Sequence, residues 1–90
     1  MRNAELERHY RALANRKRLE IVQLLAKQGP LPVKDIAELI KLSFKSTHKH
    51  LHHLLQIGFL DKERHRNLVF YNLVQDRLAL HRYLLKPVIG

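Results

Sequence analysis

Within residues 42–60, LSFKSTHKHLHHLLQIGFL, the side chains of Lys45, Ser46, His48, Lys49 and His52 gather cations and hydrogen-bonding groups with no carboxylate among them. Lysines neutralise phosphates and reach guanine, while serine and histidine hydrogen-bond base edges. This set therefore points to a polyanion. A helix face that meets only water mixes Glu with Lys for pairing one turn apart, so the missing acids weigh against simple solvation. Arg64 and Arg66 add two guanidiniums suited to a nucleic-acid backbone or a minor groove. Arg16, Lys17 and Arg18 form a further cationic run. It reads either as solvated side chains or as phosphate ligands near a positive helix end, with Arg18 carried forward as the candidate.

Five histidines between His48 and His65 raise the question of a metal. His48 and His52 are four apart and His50 and His53 three apart, spacings that place each pair on one helix face and suit Zn²⁺. No carboxylate or thiol accompanies them within the helix, and a metal on a groove-reading face would compete with DNA. Neither a metal site nor a cofactor is expected. Protonated histidines facing phosphates would tighten DNA binding below about pH 6.5, and equal affinity on either side of that pH at fixed salt would rule this out. Catalysis finds no support. Eight acids are scattered among seventeen bases, with no glycine loop and no nucleophile beside a base, and capping and groove-facing positions account for Ser43, Ser46 and His48.

These residues need a scaffold to hold them. Ninety residues form one domain, 1–90, with a modest core that a second subunit would help to complete. Hydrophobic content of 46% argues against disorder, and a net charge of +9 with pI 10.4 favours anionic partners. Cysteine is absent, which excludes disulfides and thiolate metal sites. The start MRNAELERHY lacks the apolar run of a secretion signal, and no stretch reaches membrane-spanning length. The expectation is a cytoplasmic protein with no membrane partner.

In chain order, Asn3 is expected to cap a first helix over about 4–14 with a narrow stripe of Leu6, Tyr10 and Leu13, suited to a peripheral or subunit contact. Asn15 caps a second helix, 16–27, with a wide apolar face, ended by Gln28-Gly29-Pro30. Residues 31–33 amount at most to an edge strand, and 33–40 read as a short third helix with Ile36, Ala37, Leu39 and Ile40 apolar. A tight joint at Lys41-Leu42 leads into the basic helix, about 43–56, capped by Ser43 and stopped by Gly58. Thr47, Leu51, Leu54 and Leu55 face its core side, with only the Thr47 hydroxyl left available. Two short helices so joined, the second basic, make a helix-turn-helix. Residues 60–73 follow as a hairpin with a basic tip, where Asn67 is the residue that readily takes positive φ. Residues 76–85 make a last helix with leucine-rich spacing. The expected fold is mainly α with a small β-hairpin: a winged helix-turn-helix of about five helices and a two-stranded wing.

From Ala12 to Leu73 the chain resembles the ArsR family of small winged-helix repressors. ALANRKRLEIV at residues 12–22 is similar to that family's ALADPTRLRIL, with Arg16 where proline is usual. LSFKSTHKHL at 42–51 resembles its LSQSTVSRHL recognition signature. Leu54 with Gly58-Phe59-Leu60 follows its LxxxGLV continuation, and VFYNL at 69–73 its VYYRL strand. The resemblance implies a homodimer on a palindromic DNA site, paired through its first and last helices. The first-helix stripe and the leucines after Asp76 agree with that independently. The sensing sites of the family do not carry over. Pro32 and Lys34 stand at the cysteine positions of its ELCVCEL segment and cannot act as thiolates, and the last helix offers only Asp76 and His81. Phe44 also departs from the family, which places a polar residue there; it suits a thymine methyl, packing on the third helix, or a partner.

The function so expected is a sequence-specific DNA-binding transcription regulator, a homodimeric repressor. Two alternatives stand beside it: an architectural winged helix on RNA or non-specific DNA, and a protein-interaction module using the apolar terminal helices and Phe44.

Overall fold

The computed structural model describes residues 3–74. The expected last helix, 76–85, lies outside the described residues. Within them the chain forms α1 (Asn3–Leu13), α2 (Arg16–Gln28), β1 (Leu31–Pro32), α3 (Val33–Ile40), α4 (Phe44–Gln56), β2 (Leu60–His65) and β3 (Leu68–Leu73). This is a winged helix-turn-helix.

Side-chain and glycine chemistry fixes the helix ends. Asn15 is extended, and its Oδ1 accepts from the Arg18 N–H at 3.1 Å, starting α2. Gly29, at φ 82°, ends it. Ser43 repeats the device on α4, its Oγ accepting from the Ser46 N–H at 3.1 Å. At the other end of α4 the Gly58 N–H donates to Leu55 O at 3.1 Å and the Phe59 N–H to Leu54 O at 3.0 Å. With Gly58 at φ 84° this is a Schellman closure, and the buried pair Leu54 and Phe59 supplies its apolar contact. α3 ends in the same way. Lys41 donates to Glu38 O and Leu42 to Ala37 O, but here Lys41 itself takes the left-handed conformation, φ 57°.

Helical spacing then sorts the apolar residues inward. Ile21, Val22 and Leu25 of α2, Ile36 and Ile40 of α3, and Leu51 and Leu54 of α4 join Phe59, Leu60, Tyr71 and Leu73 in one core. Leu39 is exposed, because on a 3.6-residue helix Ile36, Ala37 and Ile40 cluster on one side and Leu39 falls off its edge. The α1 stripe divides between solvent and core. Tyr10 is exposed, while His9 and Ala12 are buried and Leu13 packs partly against the core; the Leu6 side chain lies outside the described residues. The His9 ring is 4.5 Å from that of Phe59, and its Nε2–H donates to Ile57 O at 3.2 Å. That pair of contacts ties α1 to the end of α4.

The sheet is three-stranded and antiparallel, in order β1-β3-β2, rather than the expected two-stranded wing. Leu31 and Pro32 pair with Tyr71 and Phe70 along the otherwise open edge of β3. Of residues 31–33, Leu31 and Pro32 form this edge strand while Val33 opens α3, and β3 becomes central. β2 and β3 form a hairpin from Leu60↔Leu73 to His65↔Leu68. Its two-residue tip is Arg66-Asn67, and Arg66, not Asn67, carries the positive φ, 59°. Positive φ at the first turn position matches the twist of the flanking strands, and in this register Arg66 occupies it.

Candidate nucleic-acid interface

On α4, Thr47, Leu51 and Leu54 are fully buried, which turns Lys45, His48, Lys49 and His52 out to solvent. Neither lysine lies beneath other protein. Ser46 is half-buried. The Thr47 hydroxyl, expected to remain available, is enclosed without a hydrogen-bond partner among the described residues, so Thr47 is a core residue only. Phe44, the first residue of α4, is exposed and stacks on His48 one turn later, with ring centroids 6.2 Å apart and an interplanar angle of 20°.

Strand alternation sorts the charges of the wing. Successive side chains of β2 point to opposite faces. Lys62 and Arg64 therefore share the face of buried Leu60, cross-strand from Tyr71 and Val69. Asp61, Glu63 and His65 occupy the other face. There His65 Nε2 is 3.5 Å from a Glu63 carboxylate oxygen, and its ring meets Phe70 edge-on at 5.7 Å. Glu63 and Phe70 thus engage His65 on the face away from Arg64. Lys62, two residues from Leu60, is a cation of this face that the sequence reading did not single out. Arg64 and Arg66 are both exposed.

The basic run at the start of α2 divides. Arg16 is exposed and occupies the first helical position, where proline's fixed φ suits relatives. Lys17 is a structural residue: its Nζ donates to Ile40 O at 2.7 Å and lies 3.2 Å from a Glu20 carboxylate oxygen. It thereby clamps α2 to the carboxyl end of α3, where the helix dipole favours a cation. Arg18 is half-buried, and its Nε has no hydrogen-bond partner among the described residues. It acts on α4. Burial first, and then the Arg18 guanidinium, lower the pKa of both His50 and His53; a smaller repulsion from His53 adds to the shift of His50. The Arg18 guanidinium on α2 thus favours neutral imidazoles at His50 and His53 on α4. Among the described residues no three His, Cys, Asp or Glu side chains converge as a metal site would need.

Between the start of α4 and the wing runs a cleft of about 350 Å³, bordered by Lys34, Phe44, His48, Asn67, Leu68 and Val69. No acid lines it.

The family model described as HVO_A0114 matches residues 12–74, from the end of α1 through β3. The chain belongs to this family. Its winged helix is ArsR-like. The chain is similar to the homodimeric winged helix-turn-helix DNA-binding domain of Mb0332 from Mycobacterium bovis, described as a possible ArsR-family transcriptional regulator, with TM-score 0.81 and 28% identity over 90% of this chain and 75% of that one. It is similar to HlyU from Vibrio cholerae, with TM-score 0.85 and 25% identity over the full length of both. It is 36% identical over 62 residues to the cadmium resistance transcriptional regulatory protein CadC of Listeria innocua, a match covering 69% of this chain and 52% of CadC. The chain thus spans about half the length of the CadC proteins it matches. No helix among the described residues is long and apolar enough to cross a membrane.

Proposed function

We propose that this chain is a sequence-specific, double-stranded DNA-binding transcription regulator that acts as a homodimeric repressor in the cytoplasm. α4 enters the major groove with Lys45, Ser46, His48, Lys49 and His52, and the wing lays Arg64 and Arg66 on the backbone or into the minor groove. Arg18 adds a phosphate contact from the side of α2. The observation that carries the reading is the solvent-facing side of α4, where five exposed basic or imidazole side chains, Lys45, His48, Lys49, His52 and His53, stand with no acid on the helix. Such a surface repels cations and invites a phosphate backbone. α1 pairs the two protomers together with the segment 76–85, which lies outside the described residues, and this sets two recognition helices against two half-sites. Mb0332, described as homodimeric, supports that assembly. No thiolate metal site is carried over from CadC, because these residues include no cysteine.

Selection of bound sequences from a random duplex pool tests the reading. A single palindromic motif should emerge, and affinity for it should fall steeply and linearly in log salt. Equal affinity for the selected and a random duplex would sink sequence specificity.

A further inference from the structure

We propose that Phe44, braced against His48, reads the 5-methyl group of thymine and so sets the base preference at one position of each half-site. This rests on the DNA-binding reading above. Phe44 is 58% exposed at the first position of α4, and the amino-terminal residues of a recognition helix are those that meet base edges. At that exposure the ring stands outside the core. The ring is held near-parallel to the His48 imidazole, which limits its rotation and presents an apolar surface at a defined place. Its neighbours across the cleft are Leu68, 54% exposed, with Asn67 and Val69 of the wing. An apolar surface between a basic helix and a basic-tipped wing suits an apolar group that carries phosphates beside it. The major groove offers one such group, since the thymine methyl is the apolar feature distinguishing base edges there. The cleft lining contains Lys34 and no acid, so a nucleic-acid backbone approaches without repulsion. A polar side chain at position 44 would lack this contact and would be indifferent to the methyl group.

The test uses the duplex selected from the random pool and replaces its thymines by uracil, one symmetric pair at a time, which removes the methyl and leaves base pairing intact. At one pair the chain should bind about fourfold more weakly per half-site, the value of one buried methyl group. Phe44→Ala and Phe44→Gln should bind the thymine duplex more weakly and show no thymine–uracil difference at that pair. Thermal unfolding of both variants should match the parent, since the ring is exposed. Uracil insensitivity at every pair, or the same uracil loss in the parent and both variants, overturns the proposal while leaving the DNA-binding reading intact. Failure to enrich any duplex overturns that reading and this one with it. Unchanged duplex affinity of Phe44→Ala also overturns it, and leaves the cleft to a protein partner.

Discussion

Lys41 closes α3 with φ 57°, a conformation in which its β-carbon crowds the carbonyl and which costs an L-residue roughly 1–2 kcal/mol. The tight joint between α3 and α4 demands it, because the Lys41 and Leu42 N–H groups must turn back onto Glu38 O and Ala37 O. Glycine would remove the strain but would give the unfolded chain more freedom. Lys41→Gly should therefore stabilise the fold by about 0.5–1 kcal/mol net, read as a rise in the urea midpoint with an unchanged slope. Lys17 makes the opposite case, since its charge serves the fold. Lys17→Met should cost about 1 kcal/mol through loss of the contact to Ile40 O, while the salt dependence of DNA binding stays as in the parent. A lost unit of salt slope would instead place Lys17 on a phosphate. At His50 and His53 the sign follows from the lowered pKa. Below the ordinary value of 6.5 the unfolded chain binds protons that the folded chain resists. Stability is therefore full above about pH 6.5 and falls as the pH drops through the window beneath it. Arg18→Gln should bring both imidazoles part of the way back, because burial, the larger cause, remains. Histidine ring titration by NMR measures both shifts.

At the scale of elements, one helix serves two environments at once. The buried row of Thr47, Leu51 and Leu54 anchors α4 against the core and so fixes which residues face out. Lys45→Ala and Lys49→Ala should leave the melting temperature almost unchanged, because both side chains are exposed. Each should reduce the slope of log affinity against log salt by about 0.9 per half-site, the value of one phosphate contact, and so by about 1.8 for the homodimer on both half-sites. The hairpin applies the same logic with a period of two. A strand that is charged along most of its length, DKERH, becomes two faces, with Lys62 and Arg64 on the side of Leu60, and the acids with His65 on the other.

At the scale of the whole molecule, a chain of 90 residues with a net charge of +9 carries self-repulsion on a small core. Pairing of two copies would bury further surface. Tyr10, at 48% exposure on α1, is among the apolar side chains left for it. The melting temperature should accordingly rise with protein concentration, as mass action requires when association stabilises only the folded state. A melting temperature independent of concentration over a hundredfold range, with a monomeric mass in solution, would rule out the homodimer.

The order of elements was legible in the sequence because its signals are local. Asn15 and Ser43 cap, Gly29 and Gly58 stop, and apolar spacing between them declares helix or strand. The candidate cations of α4 followed from the same periodicity together with the missing acids. Other features depended on contacts between residues distant in the chain, which no local pattern encodes. Pairing with β3 completed the sheet through Leu31 and Pro32. Packing against Phe59 put His9 inside and Tyr10 outside. Lys17 and Arg18, adjacent and alike in charge, were separated by what each reaches, a carbonyl at the end of α3 for one and the imidazoles of α4 for the other. Residue type and spacing state what a side chain is able to do, and tertiary packing decides which neighbour it meets.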